Sequence, residues 1–173
     1  MFVKKLTVAS FVTLSVMSSS CFAADQGHGN ISMVGSIISI PCTISPESVD
    51  QTVGLGQVLE AVLEQEGKST PRAFDIKLEN CEVGEGKSVT VTFNGVVSTH
   101  NDSLLAISGT ASGAGIAIIH DDSVVKPGGT TKVIPLVNGD NMIHFSTYIQ
   151  GESGKNIIPG DFTTVANFSL NYL

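Results

Sequence analysis

Apolar and polar residues alternate along several short stretches of the chain. A period of two places one set of side chains on a core face and the other towards solvent, which is typical of β-strands. We therefore predict strands in the stretches 30–33, 74–79, 88–93, 143–149 and 166–172.

Turn-forming residues separate these runs and complete the pattern of an all-β domain. Glycine, proline, asparagine and aspartate cluster at 82–87, 94–95, 121–122, 127–129, 138–140 and 159–160. Many short strands at this spacing predict a β-sandwich. Residues 58–66, with the sequence VLEAVLEQE, favour a helix by composition instead. So short a segment is marginal as an independent helix, so we expect a helical turn or an irregular strand there.

The composition fits one β-rich domain and excludes some functions. The chain has 173 residues, of which 42% are hydrophobic, enough for a single sizeable core. Sixteen acidic residues against nine basic ones give a formal charge of −7. A chain this acidic lacks the basic surface that binds a phosphate backbone, so we expect no nucleic-acid partner.

Residues 1–23 have the plan of a secretory signal peptide. Lys4 and Lys5 precede the apolar stretch 6–17. Cys21 and Ala23 then supply small residues at positions −3 and −1 of a cleavage site before Ala24. A membrane anchor is disfavoured because an apolar run of about 12 residues is short of the roughly 20 needed to span a bilayer. Lipoprotein cleavage before Cys21 is a weaker alternative, since three serines precede it.

The mature chain, 24–173, retains Cys42 and Cys81. An even pair of cysteines in an exported domain predicts a disulfide, worth roughly 4 kcal/mol for a loop of about 40 residues in the chain-entropy model. There is no CxxC motif for redox chemistry, and two distant cysteines do not make a zinc site.

No catalytic or metal-binding constellation emerges from the remaining residues. His28, His100, His120 and His144 lack the spacing of a metal site. His120 and the two aspartates after it lie between apolar runs and predict a hairpin turn. Nucleophile-elbow and phosphate-loop motifs are missing as well, so we expect no enzymatic activity, metal or cofactor.

The two ends of the mature chain carry a sharper signal. The last nine residues read VANFSLNYL, alternate up to Tyr172 and stop at Leu173, inside a predicted strand. The arm near the other end reads GHGNISMVG, and one parity of it contains Gly27, Gly29, Ile31 and Met33. Glycines contribute no side-chain packing, so this arm is a poor strand of its own sheet but suits a groove with little room at one end. A frayed first strand is the alternative.

Together these features resemble the pilin subunits of chaperone–usher fimbriae, close to the major subunits of P and type 1 pili. The resemblance covers essentially all of 24–173 and is carried by QGHGNISMVGSII (26–38), PCTISPESVDQTVGLGQV (41–58), FDIKLENC (74–81) and VANFSLNY (165–172). It implies an incomplete immunoglobulin-like sandwich that lacks its seventh strand. A periplasmic chaperone fills the resulting groove, and the arm of the next subunit replaces it at the outer-membrane usher, a form of β-augmentation called donor-strand exchange.

The resemblance also implies a role for each end. Gly29, Ile31 and Met33 match the donor-strand series of the family, with Gly27 at the end inserted last; Met33 stands where phenylalanine is usual. Cys42 and Cys81 match the family disulfide.

Phe168, Leu170 and Tyr172 match the final strand, which borders the groove and pairs with the chaperone. Leu173 stands where the chain commonly ends in glutamine.

The sequence thus predicts a signal peptide at 1–23, a donor-strand arm at 24–35 and a pilin domain at 36–173. The expected function is that of a structural subunit of a fimbria on the bacterial surface, forming a homopolymer that supports adhesion. Alternatives are a minor adaptor or terminator, and a carbohydrate-binding adhesin, which would need a lectin domain that 150 mature residues cannot accommodate. A secreted β-sandwich enzyme has no motif in its favour.

Overall fold

The computed structural model describes residues 29–35, 37, 41–83 and 87–173. Residues 1–28, and with them the signal peptide and Gly27, lie outside the described residues. The chain divides into two units, 1–37 and 38–173. In the first unit, 29–35 have no regular secondary structure and the side chains of Ile31 and Met33 are exposed.

The second unit is built mainly of antiparallel strands. Its helical parts are α1 (Pro46–Val49), α2 (Glu60–Leu63) and a 3₁₀ turn at Glu64–Glu66. The strands of its described residues are β1 (Thr43–Ile44), β2 (Arg72–Cys81), β3 (Ser88–Gly95), β4 (Leu105–Ala106), β5 (Ser108–Gly109), β6 (Ala114–His120), β7 (Ser123–Val125), β8 (Ile134–Pro135), β9 (Gly139–Gly151), β10 (Phe162–Thr163) and β11 (Ala166–Tyr172).

These strands form two sheets that enclose the core, with a small two-stranded sheet beside them. The larger sheet has the order β1-β2-β9-β6-β4, with β7 also paired to β6. The smaller sheet has the order β11-β3-β8, and β10 pairs with β5. The β-sandwich predicted from the alternation is therefore confirmed.

Aromatic side chains join the two sheets. Phe93 of β3 lies edge-on to Phe145 of β9, with ring centroids 5.0 Å apart, and Phe74 of β2 stacks on Phe145 at 5.4 Å. Val89 and Val91, also on β3, are fully buried. The alternating positions predicted to face the core on β2, β3 and β9 do so, because only these faces meet across the sandwich.

The predicted turns have mixed outcomes. Asp121 and Asp122 form the β6–β7 hairpin turn with φ of 46° and 57°, as a two-residue turn of this type requires. The turn predicted at Asn94 and Gly95 is wrong, because both residues continue β3 and pair with β11. A Cβ on Gly95 would lie 2.6 Å from the Leu105 side chain, so this glycine reflects close packing instead of a turn. Residues 58–66 contain the expected helical turn, as α2 and the 3₁₀ turn.

Cys42 and Cys81 form the predicted disulfide across 39 residues of sequence. Cys42 precedes β1 and Cys81 ends β2, so the bond ties the start of the domain to the larger sheet. Just before Cys81, Asn80 has a φ of 52° and the β2–β9 register shifts. Asparagine tolerates this left-handed conformation better than most residues.

Removing the disulfide should destabilise the mature chain strongly. For Cys42→Ala with Cys81→Ala we expect the free energy of unfolding to fall by about 2–5 kcal/mol. Urea titration of the variant and the parent, each with and without reductant, measures the loss. Reductant should lower the stability of the parent alone; an equal effect on both proteins would contradict this assignment.

Candidate functional site

One edge of β11 is paired and the other is open. From Ala166 to Tyr172 the strand pairs with β3, and within the described residues no strand pairs with its other edge. Leu173 and Ser88 exchange both main-chain hydrogen bonds, at 2.9 and 3.4 Å. Because the bonds of an antiparallel ladder alternate, the residues whose N–H and C=O groups point to the open edge are Ala166, Phe168, Leu170 and Tyr172.

The β3 strand supports this assignment of hydrogen bonds. Val91 lies opposite Leu170, and its carbonyl accepts from the Thr131 amide at 2.9 Å on the side away from β11. The main-chain groups of this pair therefore point away from each other. Leu170 accordingly presents its own N–H and C=O groups at the open edge.

The same four residues have their side chains towards the core, but the core covers them incompletely. Ala166, Phe168, Leu170 and Tyr172 pack against the buried cluster and remain half-buried. By contrast, Val89, Val91 and Phe93 opposite them on β3 are at most 3% exposed. An edge strand that combines unpaired main chain with uncovered apolar side chains is a template for pairing with another chain.

A second unpaired stretch borders the larger sheet. After α1 the chain follows the outer edge of β2, where the Gln51 side chain donates to the Asp75 carbonyl at 2.8 Å. Within the described part of the chain, residues 51–58 make no main-chain hydrogen bond to another main-chain group. Leu55 and Val58 pack half-buried against the core. This stretch is therefore also capable of accepting a strand.

An apolar pocket lies between the end of this stretch and the segment that leads into β11. Its volume is about 90 Å³, and its lining includes Val58, Leu63, Ile107 and Phe162. Val58 ends the unpaired stretch of the larger sheet, and Phe162 lies four residues before β11. The pocket therefore lies beside the segment that leads into β11.

Tyr172, at the other end of β11, has a buried hydroxyl group. This oxygen has no hydrogen-bond partner among the described residues. Burial raises the pKa of the phenol above its ordinary value of 10.0. A buried hydroxyl without a partner destabilises the fold by about 1–3 kcal/mol.

The sequence-predicted residues fall in three places. Phe168, Leu170 and Tyr172 lie together on β11, and Leu173 extends the same ladder through its bonds to Ser88.

The arm residues Gly29, Ile31 and Met33 belong to the first unit, where Ile31 is 84% and Met33 88% exposed. Gly27 lies outside the described residues.

Sequence reasoning missed Ala166, Leu55 and Val58 as parts of the open edges. Ala166 shares the parity of Phe168, which could have identified it. Leu55 alternates with Gly54 and Gly56, a weak strand signal that glycine obscures.

His144 and His120 take part in polar contacts of the larger sheet. His144 pairs with Asp75 across β9 and β2, with Nδ1 2.7 Å from Oδ1, and His120 Nδ1 lies 2.9 Å from the His144 carbonyl. No group of three or more ligating side chains in 29–35, 37, 41–83 and 87–173 could hold a metal ion. Nor does any helix in these ranges have the length and hydrophobicity to cross a membrane.

Comparison with known proteins gives this site its context. Residues 31–173 match the family model described as fimbrial protein. The chain belongs to the fimbrial protein family. It is 48% identical to the Fimbria A protein of Serratia marcescens and 41% identical to the major MR/P fimbria protein of Proteus mirabilis, each match covering 97% of both chains.

Solved structures agree with this family. The P pilus rod subunit PapA superposes with a TM-score of 0.71 at 29% identity, over 78% of this chain and all of that one. A subunit of a chaperone–usher pilus superposes with a TM-score of 0.72 at 30% identity, over 86% and 97% of the two chains. The chain is thus a structural subunit of a cell-surface fimbrium with the immunoglobulin-like pilin fold, and such subunits polymerise with their neighbours.

Replacing Tyr172 by phenylalanine tests how its hydroxyl group affects the free energy of unfolding, because the aromatic ring is retained. Tyr172→Phe should raise the free energy of unfolding of the mature chain by about 1 kcal/mol at pH 7, because the unpartnered hydroxyl is removed. Since burial holds the folded-state pKa of Tyr172 above its unfolded one, the stability of the parent falls further as the pH rises above 10 through the folded pKa.

Urea titrations from pH 7 to 11 measure both effects. The advantage of the variant should widen above pH 10, where only the parent ionises at this position. A variant that is less stable at pH 7 would contradict the assignment.

Proposed function

We propose that the chain polymerises by donor-strand exchange, in which residues 24–35 of one copy add a strand to the open edge of β11 in the next. The observation that carries this proposal is the coincidence on β11 of unpaired main-chain groups with half-buried apolar side chains at the same residues. A strand laid along this edge satisfies both at once, because its main chain completes the ladder and its inward side chains cover the core.

The arm has the properties of such a strand. Its described residues carry no secondary structure of their own, and Ile31 and Met33 are exposed in the unit to which they belong. Burying each of these side chains in a neighbour contributes about 1.5–3 kcal/mol. The polar residues that alternate with them, Asn30 and Ser32, then face away from the core.

An open edge of this kind also requires protection before assembly. Left unpaired, β11 would pair with any exposed strand and aggregate. We infer that a periplasmic chaperone lends a strand to β11 after export directed by the signal peptide, 1–23, and that an outer-membrane usher exchanges this strand for the arm. The pilin domain, 36–173, has a structural role without catalysis in this scheme.

The subunit forms the shaft of the fimbria, as a homopolymer, and thereby supports adhesion. A relative named for a major fimbria protein matches 97% of this chain and of its own length, which supports the shaft role over that of an adaptor or terminator.

A charge on the inward face of the arm should block polymerisation. Ile31→Asp places an unpaired carboxylate in an apolar site, so we expect loss of fibres while the domain still folds. Val34→Asp is the matched control, because Val34 has the opposite parity and its side chain faces outward in the same strand. The measurement is heat-resistant polymer on gels, together with electron microscopy of cells that express the chain with its chaperone and usher.

Normal fibres from the Ile31→Asp variant would overturn donor-strand exchange through the arm. Equal loss in both variants would instead show that the arm tolerates no added charge, and it would contradict the assignment of inward and outward faces.

Shortening β11 should prevent capture by the chaperone. Deletion of 170–173 removes half of the open-edge residues of β11, so the truncated subunit should be degraded in the periplasm. Asn171→Ala is the control, since Asn171 is exposed and directs its main chain to β3. Co-purification with a tagged chaperone measures capture, and normal yield of the truncated subunit would contradict the role assigned to β11.

A further inference from the structure

Residues 24–173 contain few side chains that an oxidant attacks readily. They have no tryptophan, and their two cysteines, Cys42 and Cys81, are already joined in a buried disulfide. The methionines of this range are Met33 and Met142. A mild peroxide therefore has two main targets in the mature chain, one thioether in the arm and one in the domain.

The two methionines differ in what surrounds them during assembly. Met142 lies on β9 opposite Lys77 of β2, and its side chain is 52% exposed. Its neighbour Ile143 is buried in the core, so Met142 lies on the outer face of the larger sheet. Met33 is 88% exposed in the first unit. Because it shares the inward parity of the arm, strand exchange would bury Met33 against the core of the next copy.

Oxidation removes the apolar character that lets Met33 enter this core. The thioether sulfur attacks one oxygen of a hydroperoxide and gives up an electron pair, so that the S–O bond forms as the O–O bond breaks. The hydroxide that leaves takes the proton of the new S–OH group and departs as water. The product, methionine sulfoxide, is polar and chiral where the thioether was soft and apolar. Its oxygen would oppose burial in an apolar groove that offers no hydrogen-bond donor.

Resting on donor-strand exchange as proposed above, we propose that Met33 is a reversible oxidation site through which a peroxide controls polymerisation. The oxidised subunit folds, because no described residue of the arm belongs to the core cluster of the domain, but its arm does not enter the next copy. After insertion the neighbour's core shields the sulfur, so an assembled fibre resists a dose that inactivates free subunits. Met142 is oxidised in both states without effect, since its sulfoxide remains in water.

Leucine substitutions separate the two sulfurs. Leucine keeps an apolar side chain of similar volume and has no sulfur to oxidise. The chaperone complexes of the parent, Met33→Leu, Met142→Leu and the double variant are treated with hydrogen peroxide, which catalase then removes, and heat-resistant polymer formed at the usher is followed on gels. The parent and Met142→Leu should polymerise roughly tenfold more slowly after treatment, as expected for one unsatisfied buried polar group. Both proteins with Met33→Leu should keep their rates.

The outcomes distinguish this site from other effects of the oxidant. A loss in Met33→Leu equal to that in the parent would assign the effect to another residue, to the chaperone or to the usher, and would overturn the proposal. A parent that keeps its rate while mass spectrometry finds sulfoxide at Met33 would overturn it as well. Methionine sulfoxide reductases should restore the rate of the treated parent. An untreated parent that forms no polymer would instead contradict donor-strand exchange itself, on which this site depends.

Two further measurements do not depend on the leucine variants. Met33→Gln places a polar side chain of similar length in the arm and should reduce polymer without any oxidant, whereas Met142→Gln, its matched control, should not. Peptide mass spectrometry of peroxide-treated parent should find both methionines oxidised in the chaperone complex, but mainly Met142 in assembled fibres. Equal oxidation of Met33 in the complex and in the fibre would contradict its protection by the neighbouring subunit.

Discussion

The structure depends on the requirement that buried main-chain groups be hydrogen-bonded. In β11 this requirement is met on one side, by β3, and left open on the other. The residues with open main-chain groups are also those whose side chains the core covers only in part. The sandwich therefore lacks a partner along one edge of β11, and a strand added there would supply both the main-chain hydrogen bonds and the missing cover for the side chains.

Much of the fold could be predicted from the sequence, because the physical signal was local. Strict alternation in β2, β3, β9 and β11 reflects one buried face per strand, and the Asp121–Asp122 turn follows from residues that tolerate positive φ. The failure at Gly95 is instructive, since a glycine after asparagine predicts a turn locally. Its actual cause is the approach of Leu105, which is nonlocal in sequence and visible only in the packed structure.

The candidate site was predictable in part for the same reason. Phe168, Leu170 and Tyr172 follow from alternation at the end of the chain, together with a family resemblance. Alternation cannot show that a face is only half covered, which depends on the number of strands in each sheet. Residues 51–58 were not predicted as an open edge for a related reason, since Gly54 and Gly56 leave this stretch without a clear alternation of apolar and polar side chains.

If subunits assemble by the proposed donor-strand exchange, the position of the disulfide has a mechanical consequence for the fibre. Cys42 follows the arm closely, so a pull on the arm enters the domain next to this residue. β1 alone would resist poorly, because it is only two residues long. The disulfide transmits the force to Cys81 and so to the long β2–β9 ladder. Separating these two strands requires many hydrogen bonds to break at the same time. The disulfide would therefore distribute the force over the β2–β9 ladder. Without it, the same force would first separate β1 from the sheet.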